Sequence, residues 1–78
     1  MKLMIKATKD LDLAKAKSIA ETAGRYKAES RILFKDKGAN AKSLMGIVML
    51  SFKKGSEIVL VAEGRDAAQA IDALKSIL

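Results

Sequence analysis

The sequence predicts an α+β fold, an open-faced sandwich in which helices cover one face of a four-stranded antiparallel sheet. Two observations carry this prediction. Short segments repeat apolar residues every second position, and two longer segments repeat them at helical spacing. The two kinds of segment alternate in the order strand, helix, strand, strand, short helix, strand, helix (βαββαβα). We expect one domain that spans residues 1–78.

The first strand is predicted in KLMIKAT, residues 2–8, where apolar residues lie two apart and lysines occupy the other face. The apolar residues are Leu3, Ile5 and Ala7. The first helix is predicted from Leu13, because Leu13, Ala16, Ala20 and Ala23 follow a helical period. Asp12 is a good N-cap for this helix, and Gly24 is expected to end it in the left-handed C′ conformation.

A hairpin is predicted in ESRILFKDKGANAK, residues 29–42. Ile32 and Phe34 alternate onto one face of its first strand, and DKGAN, residues 36–40, has the composition of a turn. The turn leads to the second strand of the hairpin, which contains Ala39 and Ala41.

The next segment, LMGIVMLSF, is apolar without a clear period, so that periodicity alone does not separate a buried strand from a short helix. Ser43 and Gly46 favour a short second helix capped by Ser43, because a serine oxygen at an N-cap accepts a hydrogen bond from an otherwise unpaired backbone N–H. Gly55 is expected to end the segment.

The last two elements have the clearest patterns. SEIVLVAEG, residues 56–64, is rich in β-branched residues that alternate, and Gly64 turns the chain after it. RDAAQAIDALKSIL, residues 65–78, has apolar residues at i, i+3 and i+4 spacing. Asp66 near its start and Lys75 near its end both suit the helix dipole.

The composition excludes several classes of function. The chain of 78 residues has no cysteine and no histidine, which removes disulfides, thiolate metal sites and the commonest general base. We therefore expect no enzyme, no cofactor and no metal. The start, MKLMIKATKD, does not fit a signal peptide, and no apolar stretch is long enough to span a membrane. A cytoplasmic location is expected.

The charge balance points to protein partners more than to nucleic acid. Fifteen Lys and Arg residues against nine Asp and Glu residues give a formal charge of +6, which favours acidic partners or nucleic acid through long-range attraction. The basic residues are scattered along the chain, and its three aromatic residues do not form the stacking platform of single-strand binders. We expect no direct contact with nucleic acid.

Three motifs carry a resemblance to a known family. KSLMG, residues 42–46, is followed nine residues after its glycine by GSEIVLVAEGRDAAQAIDAL, residues 55–74, and TAGRYKAES occupies residues 22–30. This pattern resembles the histidine-containing phosphocarrier (HPr) family of the bacterial sugar phosphotransferase system. The resemblance covers nearly the whole chain and implies the HPr-like βαββαβα sandwich.

The family's phosphoryl-carrying motif, Gly-[Leu/Ile]-His-Ala-Arg-Pro-Ala, falls on DLDLAKA, residues 10–16, without a gap. Asp12 then stands at the family's histidine position, Ala14 at the arginine position and Lys15 at the proline position. The chain therefore lacks both the nucleophile and the cation with which the family transfers phosphate.

Asp12 has three interpretations. As an N-cap it accepts backbone N–H bonds and complements the positive end of the helix. As a phosphocarrier of altered chemistry it would form an aspartyl phosphate, with Asp10 and Lys15 nearby in the sequence. As a fixed negative charge it would imitate the charged state that the family reaches only on phosphorylation.

Ser43 keeps its motif. The resemblance implies that this serine is phosphorylated by an HPr-type kinase/phosphorylase and that the modified protein binds a catabolite-control transcription regulator. An N-cap role is compatible with that regulation. The resemblance also implies that Leu44, Met45 and Val48 include exposed contacts for partners, and the alternative is that these residues fill the core.

Two hypotheses for function follow. The favoured one is a regulatory or interaction module without phosphocarrier activity, which partners recognise through Ser43 and the face formed by the first two helices. The alternative is a phosphocarrier that uses Asp12. Catabolite-repression HPr-like proteins also lack the histidine and keep the serine, but they hold glutamine at the histidine position. Assembly through sheet edges or the second helix is a third option, and the sequence leaves the oligomeric state open.

Overall fold

The computed structural model describes residues 1–78 and has the predicted order of elements. The strands and helices follow one another as β1 (Lys2–Lys6), α1 (Leu13–Gly24), β2 (Glu29–Phe34), β3 (Lys37–Asn40), α2 (Leu44–Val48), β4 (Glu57–Glu63) and α3 (Ala67–Ile77). The α+β prediction and the βαββαβα order are confirmed.

The four strands form one antiparallel sheet in the order β1-β4-β2-β3. In β4 the even-numbered residues from Ile58 to Ala62 are buried, whereas Val59 and Val61 are only half-buried on the other face. This alternation is what a sheet covered on one side requires. All three helices lie against the buried face, and the opposite face is open.

The core lies between the sheet and the helices and contains nineteen buried apolar residues. Nine of them are alanines, which bring helix and strand backbones close together. The largest fully buried side chains are Phe52, Ile19, Ile32, Ile47, Ile58, Leu60 and Leu74. Every helix contributes at least one of these large residues from the one face that it packs against the core.

The apolar segment after Ser43 is a helix only over Leu44–Val48. After it the backbone of Ser51 turns through a positive φ of 52°. Leu50 and Phe52, which flank this turn, are both buried. The helical interpretation is therefore confirmed for the first five residues. Beyond them Leu50 and Phe52 are buried within a loop, whereas Met49 is exposed.

Two predicted chain reversals differ from the structure. Gly24 is the last residue of α1 and not a left-handed C′ residue. Arg25 is the C-cap, with a φ of −76°, and the N–H of Tyr26 donates to the carbonyl of Ala23. The prediction was wrong because the chain leaves α1 through right-handed turns that any residue adopts.

The second difference concerns the hairpin between β2 and β3. Its turn consists of Lys35 and Asp36, and residues 37–40 form β3 although their composition is typical of a turn. Lys35 takes a positive φ of 55°. Pairing of Ile32 with Ala39, whose side chains are both buried, fixes this register.

Asp66 stabilises the fold across a long stretch of sequence. Although it precedes α3, its side chain makes no cap bond. Its two carboxylate oxygens accept hydrogen bonds from the backbone N–H groups of Lys27 (2.9 Å) and Ala28 (2.8 Å). The bond from Lys27 is the largest cause that holds the pKa of Asp66 below its ordinary value.

None of the helices combines the length and the apolar character that crossing a lipid bilayer requires.

Candidate functional site

Asp12 lies in extended backbone directly before α1 and is exposed. Its Oδ1 accepts a hydrogen bond of 2.7 Å from the backbone N–H of Lys15. This is N-cap geometry, because the acceptor is the side chain and the donor is one of the unpaired N–H groups of the first helical turn. No protein group donates to the second oxygen, Oδ2.

The segment before Asp12 is attached to the loop that precedes β4. The N–H of Leu11 donates to the carbonyl of Phe52 at 3.0 Å, and Oδ1 of Asp10 accepts from the N–H of Lys54 at 2.7 Å. Asp10 is therefore engaged with the backbone of this loop, away from Asp12. The carboxylates of Asp10 and Asp12 therefore each stabilise the local backbone by accepting a hydrogen bond from a backbone N–H.

Lys15 and Ala14 complete the region of the carrier motif. Lys15 is half-buried, and its ammonium group donates to the carbonyl of Ile77 at the end of α3. A cation at this end of a helix is favourable, because it faces the negative end of the dipole. The structure thus uses Lys15 to join α1 to α3. Ala14 is exposed and carries no polar group.

Ser43 is exposed in extended backbone before α2. Its Oγ accepts a hydrogen bond of 3.2 Å from the N–H of Gly46. A Cβ on Gly46 would lie 3.2 Å from that same Oγ, so that the glycine keeps the hydroxyl free of crowding. Only this bond engages the hydroxyl, which leaves its proton and outer side open to solvent.

The surface beside Ser43 includes two exposed methionines. Met45 and Met49 are 70% and 69% exposed. They lie four residues apart, Met45 within α2 and Met49 at its C-cap, and so share one side of this helix. Leu44 and Val48 are half-buried and pack against the core. Ile47 is fully buried.

The sequence prediction named neither Met49 nor Leu13 as part of this surface. Leu13, at the start of α1, is 59% exposed. The spacing between Met45 and Met49 is a signal that could have identified the second methionine. Leu13 gave no such signal, because it matches the apolar period of its own helix.

Asp12 and Ser43 lie at opposite ends of the α1/α2 layer. The start of α1 is joined to the loop after α2 by the bond from Leu11 to Phe52. At the other end, Lys42 donates its ammonium group to the carbonyl of Tyr26, just after α1, at 2.9 Å. The two helices are therefore antiparallel, and the structure does not bring Asp12 and Ser43 together.

Comparison with known proteins decides the family. The family described as "PTS HPr component phosphorylation site" matches residues 1–78. The chain belongs to the HPr family. It is a homologue of the phosphocarrier component of the phosphotransferase system. HPr proteins are phosphocarriers and not enzymes themselves, and they interact with other proteins of that system.

Individual relatives agree with this assignment. The chain is 35% identical over 63 residues to the phosphocarrier protein HPr of Mycoplasma capricolum. These aligned residues cover 81% of this chain and 71% of that protein. It superposes on HPr from Bacillus anthracis with a TM-score of 0.94 and 31% identity, covering 100% of this chain and 95% of the other.

Another relative is named for catabolite repression. The catabolite repression protein Crh of Bacillus subtilis, solved as a dimer with a swapped domain, matches with a TM-score of 0.80 and 27% identity. The match covers 99% of this chain and 88% of Crh. The HPr-like sandwich is therefore present both in phosphocarriers and in a protein named for catabolite repression.

Proposed function

We propose that this HPr homologue is a regulatory or interaction module of the phosphotransferase and carbon-catabolite system that does not carry phosphate. Partners recognise it in the cytoplasm through Ser43 and the exposed surface of α1 and α2. These partners are an HPr-type kinase/phosphorylase, a transcription regulator or other proteins of the phosphotransferase system. The observation that carries the proposal is an exposed Ser43 hydroxyl in a chain without histidine.

The geometry at Ser43 suits modification. Transfer of the γ-phosphoryl group of ATP requires access to Oγ, and the residue is exposed with one hydrogen bond on its inner side. A phosphoryl group adds a charge of about −1.5 to −2. The N–H of Gly46 stays available to the modified oxygen, so that phosphorylation changes the surface and leaves the fold intact.

The methionines supply an apolar contact beside this charge. Methionine side chains are flexible and polarisable, and they are common on surfaces that bind several partners. Met45 is exposed on the helix that Ser43 begins, and Met49 is exposed at the C-cap of that helix. A partner that reads the modified state would pair a cationic group with the phosphate and an apolar pocket with the methionines.

The first test is phosphorylation by an HPr-type serine kinase with labelled ATP. We expect one phosphate per chain on Ser43 and none on Ser43→Ala. Ser76→Ala is the matched control, since Ser76 is also exposed and bonds only to a carbonyl of its own helix. A wild-type chain that stays unlabelled, or a label that persists in a folded Ser43→Ala protein, contradicts the proposal.

The second test concerns the contact surface. Met45→Ser and Met49→Ser should each weaken kinase binding, measured by titration calorimetry, while the circular dichroism spectrum stays native. Met4→Ser is the control, because Met4 is 61% exposed but lies on the open face of the sheet. Equal affinity of all three variants would remove α2 from the proposed surface.

The alternative, phosphotransfer through Asp12, has one supporting observation: the carboxylate is exposed at the start of α1, with Oδ2 unbonded. Incubation with phosphoenolpyruvate and the first enzyme of the system tests it. A hydroxylamine-labile label that is lost in Asp12→Asn and kept in Asp10→Asn would establish an aspartyl phosphate. We expect no label, because no basic side chain is bonded to Asp12 to stabilise the transferring group.

A further inference from the structure

A cleft opens between the turn of the β2–β3 hairpin and the loop that joins α2 to β4. Its volume is about 480 Å³, which is within the range of about 300–1,000 Å³ for small-molecule sites. We call it the hairpin cleft. The residues that line it are Phe34, Lys35, Ser51, Lys53, Gly55, Ser56 and Glu57.

The backbone around the hairpin cleft is unusual. Four residues of the chain have a positive φ, and three of them line this cleft: Lys35 (55°), Ser51 (52°) and Gly55 (88°). Lysine and serine carry a Cβ, so that the left-handed conformation is unfavourable for them. Such residues concentrate at functional sites, where the surrounding structure maintains them.

Several hydrogen-bond donors at the hairpin cleft have no protein acceptor. The backbone N–H groups of Lys35 and Ser51 donate to no other protein group. The Oγ of Ser56 accepts from the N–H of Lys53 at 3.1 Å, which leaves the hydroxyl proton of Ser56 free to donate. Backbone N–H groups in left-handed turns commonly form concave sites for anions.

The charge of the hairpin cleft is positive. Lys35 and Lys53 contribute two cations, and the ammonium group of Lys35 lies 5.3 Å from the centre of the Phe34 ring. Glu57 is the one acidic residue that lines the cleft. It lies directly opposite Lys6 in the β1–β4 register. The positive charge of Lys6 therefore compensates part of the negative charge of Glu57.

We propose that the hairpin cleft binds a small phosphate-bearing anion. The charges of Lys35 and Lys53 attract the anion. The backbone N–H groups of Lys35 and Ser51 and the hydroxyl group of Ser56 donate to its oxygens. The half-buried ring of Phe34 offers an apolar surface to the carbon part of a phosphate ester. The ligand is inorganic phosphate or a small phosphate monoester, since both present the same dianionic group.

The experiment is a titration of the ¹⁵N-labelled chain, followed by NMR, at constant ionic strength with chloride as the balancing anion. One arm adds inorganic phosphate and the other adds glycerol 3-phosphate. We expect saturable shifts of the amide signals of Lys35, Ser51 and Lys53. The arm that saturates at the lower concentration identifies the source of the phosphate group. Shifts that rise linearly in both arms, or that spread evenly over the chain, would overturn the proposal.

Charge variants separate a specific cleft from general attraction. Lys53→Gln should weaken binding about two- to fivefold, the effect expected of one exposed charge pair. Glu57→Gln should strengthen it by a similar factor. Lys17→Gln and Glu21→Gln, exposed on α1, make the same charge changes at a distance and should leave binding unchanged. Equal effects at cleft and control positions would mean that only net charge matters and would refute the site.

Discussion

The same substitution, glycine to alanine, should have three different effects at Gly24, Gly46 and Gly64. At Gly64 the backbone has a φ of 135°, and an added Cβ would lie 2.9 Å from Cα of Ala28. Backbone strain costs about 1–3 kcal/mol, and overlap with an immobile backbone atom costs about the same again. We therefore expect Gly64→Ala to lower the free energy of unfolding by roughly 3 kcal/mol.

Gly24 is the matched control, since nothing lies within 4 Å of an added Cβ there and the residue is helical. Alanine should raise the free energy of unfolding by about 0.5–1 kcal/mol, because it is the better helix former. Gly46 is intermediate. Its Cβ would crowd the Oγ of Ser43 at 3.2 Å, so that loss of the cap, about 1 kcal/mol, offsets a similar gain in helix propensity.

The assay is urea unfolding followed by circular dichroism. With a slope of about 1 kcal/mol per molar urea for a small protein, Gly64→Ala should lower the midpoint by roughly 3 M. Such a loss is a large part of the roughly 4–12 kcal/mol expected for a chain of this length. A Gly64→Ala protein within 1 kcal/mol of the wild type, or no more affected than Gly24→Ala, would refute the reasoning from steric overlap.

The remaining predictions concern Asp66 and Ser51. Because the pKa of Asp66 is lowered in the folded protein, its contribution is present above about pH 4 and is lost as the pH falls through the lowered value. Asp66→Asn should therefore lower the urea midpoint at pH 7 and match the wild type near pH 2. Ser51→Gly should raise the free energy of unfolding by about 0.5–1 kcal/mol by relieving the left-handed strain, whereas Ser18→Gly, inside α1, should lower it. Destabilisation by Ser51→Gly would contradict the strain argument.

The sequence predicted the elements well because their patterns are local. In β4, buried and more exposed residues alternate over seven positions, and in α3 apolar residues recur over three helical turns. Both elements lie at the positions that these patterns predict. The caps formed by Asp12 and Ser43 were also predictable. Each involves a side-chain oxygen and an N–H group only three residues away.

The errors fell where distant residues decide the conformation. Gly24 is a residue type that commonly ends a helix. The path of the chain after α1 is instead fixed by Asp66, whose carboxylate, just before α3, accepts hydrogen bonds from the backbone N–H groups of residues 27 and 28. The turn at Lys35 and Asp36 depends on the pairing of Ile32 with Ala39. Neither signal can be read within a short window of sequence.

The candidate site divides in the same way. The sequence placed Ser43 before a helix and Asp12 at the family's histidine position, and the absence of histidine was plain from composition alone. The structure added the separation of Asp12 from Ser43 and the use of Lys15 to hold Ile77. It also brought the hairpin turn next to residues 51–57, which are distant in the chain.

What the sequence by itself determined is therefore the order of strands and helices, the two N-caps, the resemblance to the HPr family and the absence of histidine. All of these depend on residue type and short spacing. The tertiary structure alone decided the bounds of the turns, the exposure of Leu13 and the assembly of the hairpin cleft. These features arise from contacts between segments far apart in the chain, whose energies depend on distance in space and not on separation in sequence.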